Sequence, residues 1–294
     1  RLPHTGALRY AADAPQIPGA AVTAEDAEMI AALAQQGEVK MRLTLTPQTL
    51  PDVESANVIA DLKGSEFPDQ VVIVSGHLDS WDLGTGANDN GVNVSLVIDT
   101  ARAIKSLGIK PKRTIRFVLF TGEEQGMWGS AGYVKTHAKE LDKHVATAIF
   151  DIGSGKITGF FLNGREDLRS PTETILSSAG KFENPPDGID GTDNFDFLLS
   201  GVPNLVANQD AIPYLPDYHA ASDVFEMVDQ KEAQRNAMIA SVLVWGLAQT
   251  PMLPLKRQTR SEVEKLLVDT KLDEQMKAFN QWTQWTSGKR GVNH

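Results

Sequence analysis

Four short segments place histidines and carboxylates directly behind apolar runs. His77 and Asp79 follow Val71–Val74 within GHLDSWDLGTGANDNG, and Glu123 and Glu124 follow Ile115–Phe120 within TGEEQG. Asp151 follows Ala146–Phe150 within IFDIGSG, and His219 sits in YLPDYHAASD, behind a later apolar run. Imidazole nitrogen and carboxylate oxygen are zinc donors, and a catalytic zinc keeps one position open for water. Hydrolases with two metals hold them about 3.5–4 Å apart through a shared group. Two histidines, two terminal carboxylates and one bridging aspartate would make such a set. Of the adjacent pair Glu123–Glu124, one carboxylate can bind metal while its neighbour activates water. Asp79 is spaced to accept the second N–H of His77 and fix its tautomer, and Asp223 could do the same for His219.

Taken singly, each segment has a plainer explanation. A histidine behind a strand is usually a hydrogen-bonded loop residue, and acidic residues opening a helix answer its dipole. Asp151 could be a turn former, and ANDNG is a good turn sequence. Their joint arrival behind separate apolar runs is what points to a site. His4, His137, His144 and His294 read as helix-surface or terminal residues.

The elements that must position these residues alternate between strand and helix. Alternation of Val39, Met41, Leu43 and Leu45 predicts a strand, as does Asn57–Leu62. Val71–Val74, Ile115–Phe120, Ala146–Phe150, Ile157–Leu162 and Val202–Val206 predict further strands, several of them buried on both faces. Helical spacing predicts a short helix behind Thr23, one from Val92 to Leu107, one through Tyr133 and Leu141, and one over Lys231–Leu247. Pro251 and Pro254 break the chain, and a capping box at Ser261 and Glu264 predicts a last helix to about Phe279. The final fifteen residues, with Trp282 and Trp285, carry no clear signal; packing on the domain is the expectation for both tryptophans. The order predicts an α/β fold of three layers, α/β/α, with a mixed, largely parallel central sheet. Ligands of such sheets collect at the carboxyl ends of the strands, where the four segments lie.

Composition narrows the partners. With 294 residues, 41% hydrophobic, the chain can bury a large core. Its net charge of −10 and the lack of a basic run argue against nucleic acid. No apolar run reaches membrane-spanning length, so membrane insertion is not expected. The chain has no cysteine, which leaves zinc to His, Asp and Glu and fits a secreted or bacterial periplasmic protein.

The segments GHLDSWDLGTGANDNG, TGEEQGMWGS, FDIGSG and YHAASD together resemble the metal-binding segments of the co-catalytic zinc aminopeptidase family. The likeness is closest to its plasma glutamate carboxypeptidase, or carboxypeptidase Q, branch. It covers roughly residues 14–250 and includes GTDNFDFLLSGVPN. The resemblance implies two zinc ions per chain. His77 and Asp151 would hold one, Glu124 and His219 the other, with Asp89 bridging both and Glu123 as general base. Asn90 stands where relatives often carry a second Asp, a difference expected to tune the site. Gly191-Thr192-Asp193 matches a segment near the family's substrate cleft, with no individual role assigned.

The same resemblance divides the chain. Residues 1–35 read as the end of an inserted protease-associated domain and its connection, 36–253 as the zinc exopeptidase domain, and 254–294 as a C-terminal helical extension. The chain is expected to start inside the end of that insert. The expected activity is hydrolysis of terminal peptide bonds in short peptides or dipeptides, and relatives of the branch often form homodimers. Competing readings are an aminopeptidase on longer peptides, a single-zinc cyclase of the same fold, and a receptor-like protein that has lost catalysis.

Overall fold

The computed structural model describes residues 2–8, 10, 13–48 and 50–292. His294 falls outside them. Six strands form one sheet: β1 (Val58–Leu62), β2 (Phe67–His77), β3 (Arg113–Phe120), β4 (His144–Ile149), β5 (Ile157–Phe161) and β6 (Asn204–Gln209). Their order is β1-β3-β2-β4-β6-β5. The central strands β3, β2, β4 and β6 run parallel, and β1 and β5 close the two sides antiparallel. Crossovers between parallel strands need intervening helices, and these cover both faces.

Residue parity on β2 shows the layering. Val72 and Val74 face a cluster with Leu96, Val97 and Ile104 of helix α2 (Val92–Ser106) and with Ile239, Leu243 and Leu247 of the long helix α6 (Gln230–Gln249). Val71 and Ile73 face the opposite cluster, with Tyr133 and Val134 of α3 (Trp128–Thr136) and Phe197 of α5 (Asn194–Leu199). The result is the three-layer mixed sheet that the sequence predicts. Arg113 at the start of β3 joins the layers by donating to the carbonyl of Thr250, just past α6, and to that of Leu253.

Two helices outside the sheet complete this part of the chain: α1 (Ala24–Ala34), whose N-cap Thr23 accepts from the Asp26 amide at 3.0 Å, and α4 (Arg169–Leu176). The expected strand over Val39–Leu45 does not form. Residues 38–48 and 50–57 adopt no regular structure, and Met41, Leu43 and Leu45 are exposed. Alternation marks a face, but a strand also needs a neighbour to receive its hydrogen bonds, and here this stretch has none among the described residues.

The C-terminal helices also differ from the expectation. The capping box is formed by Thr259 and Glu262, two residues earlier, and opens α7 (Arg260–Asp269). Lys271 in a left-handed conformation (φ 62°) then breaks the run, and α8 (Leu272–Ala278) follows. The stretch without a clear signal forms α9 (Gln281–Thr286). Leu266, Leu267, Leu272, Met276 and Trp285 from these helices pack against Phe195, Leu198 and Leu199 of α5. Trp285 is fully buried, and its indole N–H donates to the Leu199 carbonyl at 3.3 Å.

Candidate metal centre

The carboxyl ends of β2, β3 and β4 and the loop after β6 bring the expected residues to one rim. His77 is the last residue of β2 and fully buried. Gly76 before it allows close approach: a Cβ there would lie a tight 3.1 Å from the Phe150 carbonyl and 3.2 Å from Asn90 Nδ2.

Asp89 lies at the centre, with one oxygen turned to each histidine. Its Oδ1 is 3.0 Å from His77 Nε2, which also lies 2.8 Å from Asp151 Oδ1. Its Oδ2 is 3.3 Å from His219 Nε2, which lies 3.0 Å from Glu124 Oε2. Two three-residue groups of possible ligands therefore share Asp89: His77, Asp89 and Asp151, and Asp89, Glu124 and His219. A third group, His77, Glu123 and Glu124, brings Glu123 beside both.

Several observations fit this arrangement to cations. Each histidine directs Nδ1 at a backbone carbonyl, His77 at Asp79 O (2.9 Å) and His219 at Thr5 O (3.2 Å). Carbonyls only accept, so Nδ1 carries a proton, and Nε2 is the nitrogen that donates to the carboxylates when protonated or offers its lone pair to a cation. Glu124 Oε1 is buried with no partner, an acceptor whose burial needs a positive charge to balance it. The acid groups are also strained electrostatically. Burial, then the charge of Asp151, pushes Glu123 well above the usual carboxylate range, and burial likewise raises Asp151 and Glu124. Asp89 moves down instead: burial opposes its charge, but hydrogen bonds from His219 and His77 outweigh it. Burial also opposes charge on His77, yet the neighbouring Asp151 raises it well above its ordinary value. Multivalent cations would satisfy the whole cluster, and the donor set of imidazole and carboxylate suits zinc.

Two supporting residues act differently from the expectation. The Asp79 carboxylate is 3.8 Å from His77 Nδ1, which its own backbone carbonyl occupies. Its oxygens accept instead from the amides of Glu123 and Glu124, both at 3.1 Å. Behind the strand end the chain turns, so the carbonyl folds back on the ring while the side chain crosses to the loop after β3. Asp223 does not reach His219 Nδ1. It accepts from the amides of Asn88 (2.6 Å) and Asp89 (3.0 Å), fixing the loop that carries the central aspartate. Asn90 faces away from the carboxylates, donating to the Phe150 carbonyl at 3.0 Å and accepting from Asn93 at 2.7 Å.

The sequence assigned no individual role at the centre to other residues found near it. The Tyr214 hydroxyl donates to Asp89 Oδ2 at 2.7 Å, from a position five residues before His219 with no recognisable spacing. Asp193 is fully buried near the centre, and burial raises its carboxyl to about 7. His144, expected on a surface, is buried at the start of β4, where its Nε2 accepts from the Tyr133 hydroxyl at 2.8 Å. It is far from a ligand role and belongs to the packing of α3 on the sheet. His137 Nδ1 lies at hydrogen-bond distance, 3.1 Å, from Glu140 Oε2, and the His4 ring lies 6.4 Å from Tyr218.

A cleft of about 560 Å³ opens on the centre. Tyr218, Ile189, Asp190 and Thr192 line it, together with Gln275, Phe279 and Gln281 from the C-terminal helices. No helix of the described residues is long and apolar enough to cross a membrane.

An α/β sheet with paired histidine–carboxylate groups at its strand ends makes a candidate metal centre of the kind that two-metal hydrolases use. Residues 57–244 match the profile of peptidase family M28, and the chain belongs to that family. It is similar to carboxypeptidase Q of Homo sapiens, 35% identical over 256 residues that cover 86% of this chain and 54% of that protein. Aminopeptidase YwaD of Bacillus subtilis is 28% identical, over 87% of this chain and 57% of that protein. The solved structure of a peptidase M28 precursor from Shewanella amazonensis superposes with a TM-score of 0.75 at 31% identity, covering 88% of this chain and 59% of that one. The chain thus spans about half the length of the curated relatives it matches.

Proposed function

We propose that the protein is a zinc-dependent exopeptidase that hydrolyses terminal peptide bonds of short peptides or dipeptides. The observation that carries this reading is Asp89, which offers one oxygen to each of two histidine–carboxylate groups. His77, Asp89 and Asp151 would hold one zinc, and Asp89, Glu124 and His219 the other. When bound, such a pair lowers the pKa of water and polarises a scissile carbonyl.

The chain's own groups supply the rest. Glu123 is the general base: it takes the proton of the attacking water and hands it to the leaving amine. Its raised proton affinity, due first to burial, suits the first half of that transfer. Asp79 holds the Glu123 and Glu124 amides, and Tyr214 and Asp223 hold Asp89 and its loop.

The test is Glu123→Gln. Turnover on a free dipeptide is expected to fall by about 10²–10⁴-fold, the usual share of a general base, with zinc content unchanged. Turnover near that of the parent protein would remove Glu123 from the reaction. A second reading, an aminopeptidase on longer peptides, is favoured by the charge of the cleft. None of the described residues lining it is Lys or Arg, the side chains suited to anchoring a terminal carboxylate, whereas Asp190 can face an ammonium. Dipeptides blocked at the carboxyl end would still be cleaved on this reading, and those blocked at the amino end would not.

A further inference from the structure

The loop carrying Glu123 and Glu124 is clamped on two sides, and one of the clamps draws on a residue outside the region matched to the family. Asp79 takes the two glutamate amides on one side. On the other, the loop closes on itself as the amides of Gly126 and Met127 donate to the Glu123 carbonyl, both at 2.8 Å. This closed turn rests on Asp196 of α5. Ser130 Oγ lies 3.2 Å from the Met127 carbonyl and donates to Asp196 Oδ2 at 3.1 Å.

Asp196 is buried, and the cation that answers it comes from the far end of the chain. Arg290 donates to Asp196 Oδ1 through Nε and to Oδ2 through Nη2, both at 2.8 Å, a two-pronged carboxylate pair. The same Nη2 lies 3.4 Å from the Gly126 carbonyl, so one guanidinium touches both the turn and its support. The pair is nearly out of solvent: the Arg290 side chain is 11% exposed and that of Asp196 1%. Phe195 packs beneath the guanidinium at 5.9 Å, and Glu123 and Asp193 lie within its electrostatic reach. Trp285, Leu266 and Leu267 anchor the C-terminal helices on α5, which fixes where Arg290 arrives.

We propose that Arg290 is a positioning residue for the general base: with Asp196 and Ser130 it holds the Glu123–Met127 turn against the metal centre. The role of residues 254–292 is then to complete the active centre from outside the matched region 57–244. The proposal rests on the peptidase reading for its kinetic consequence, not for its structural one.

Three variants test it in the full chain. Arg290→Met removes the fork at similar length. The expected result is a kcat on a free dipeptide lowered between about tenfold and a hundredfold, as for a displaced catalytic group, with KM changed less than about threefold and zinc content unchanged. Because that variant leaves Asp196 buried without a partner, it is paired with Asp196→Leu/Arg290→Met, in which an apolar pair restores folding stability. In that double variant kcat stays low. Arg290→Lys, which cannot form the fork, recovers only part of the loss. Amide hydrogen exchange at Gly126 and Met127, whose donors close the turn, is expected to quicken in the first two variants. That readout decides the proposal even if the parent protein cleaves no peptide, an outcome that would sink the peptidase reading alone. Unchanged exchange at both amides, or a double variant with parental kcat, would overturn the role of Arg290.

Discussion

Replacing Asp79 by Asn separates two ways of supporting the centre. In one, the carboxylate works through His77 by taking its Nδ1 proton, and its loss lowers metal affinity about 10–100-fold. In the other, it works through the loop after β3. The distances favour the loop: 3.1 Å to each of the Glu123 and Glu124 amides against 3.8 Å to His77 Nδ1, whose proton goes to the Asp79 carbonyl. Hydrogen bonds to a charged acceptor contribute about 1.5–3 kcal/mol each, and the 24% exposure of this side chain places both towards the lower end. Asparagine keeps one acceptor and turns an NH₂ group against the second amide, so a loss of about 1.5–3 kcal/mol of stability is expected. The displaced Glu123 is expected to lower kcat about 10–100-fold at saturating zinc. Zinc affinity, measured by competition with a chromophoric chelator, should change by less than about threefold, because the backbone carbonyl that fixes His77 is untouched. A variant with at least tenfold weaker zinc binding and parental kcat at saturating zinc would refute this account.

His144 predicts a pH dependence of stability. Burial lowers its pKa from 6.5 to about 4 in the folded state, so the unfolded chain binds the proton more readily. Its contribution is full above pH 6.5 and is lost as the pH falls to 4, by about 3 kcal/mol in total. Urea unfolding between these limits should show that loss in the parent and a flatter profile in His144→Gln; equal slopes would contradict the assignment. Tyr214→Phe removes the hydroxyl that donates to Asp89 Oδ2 and is expected to weaken zinc binding about tenfold with little loss of fold, read by the same chelator competition and by thermal melting. Zinc affinity equal to the parent's would remove Tyr214 from the support of Asp89.

Much of this was legible in the sequence because parallel strands are buried on both faces and end at the ligand side of the sheet. Val71–Val74 and Ile115–Phe120 announce themselves as apolar runs, and the polar residue that ends each run is then a candidate for the site. The same logic failed at Val39–Leu45, where a periodic pattern has no neighbouring strand to pair with. It also misplaced the capping box, since Ser261 and Glu264 have the same spacing as Thr259 and Glu262, and only the packing of Leu266 and Leu267 on α5 selects between them.

Residues close in space but far apart in the chain were not legible. Asp79 was readable as a support, but spacing cannot tell a side chain from the carbonyl of the same residue. Tyr214 reaches Asp89 across 125 positions and Arg290 reaches Asp196 across 94, and neither contact leaves a local pattern. The Thr5 carbonyl that orients His219 is a backbone group, which no residue type could reveal.

Zinc stoichiometry by native mass spectrometry tests the central claim most directly, namely that Asp89 joins two ion sites. The parent chain is expected to carry two zinc ions, His219→Ala one, and Asp89→Ala none. A parent with a single zinc would favour the cyclase reading, and one with none would favour a receptor-like protein. An Asp89→Ala variant that keeps one zinc as firmly as His219→Ala does would contradict the bridge itself.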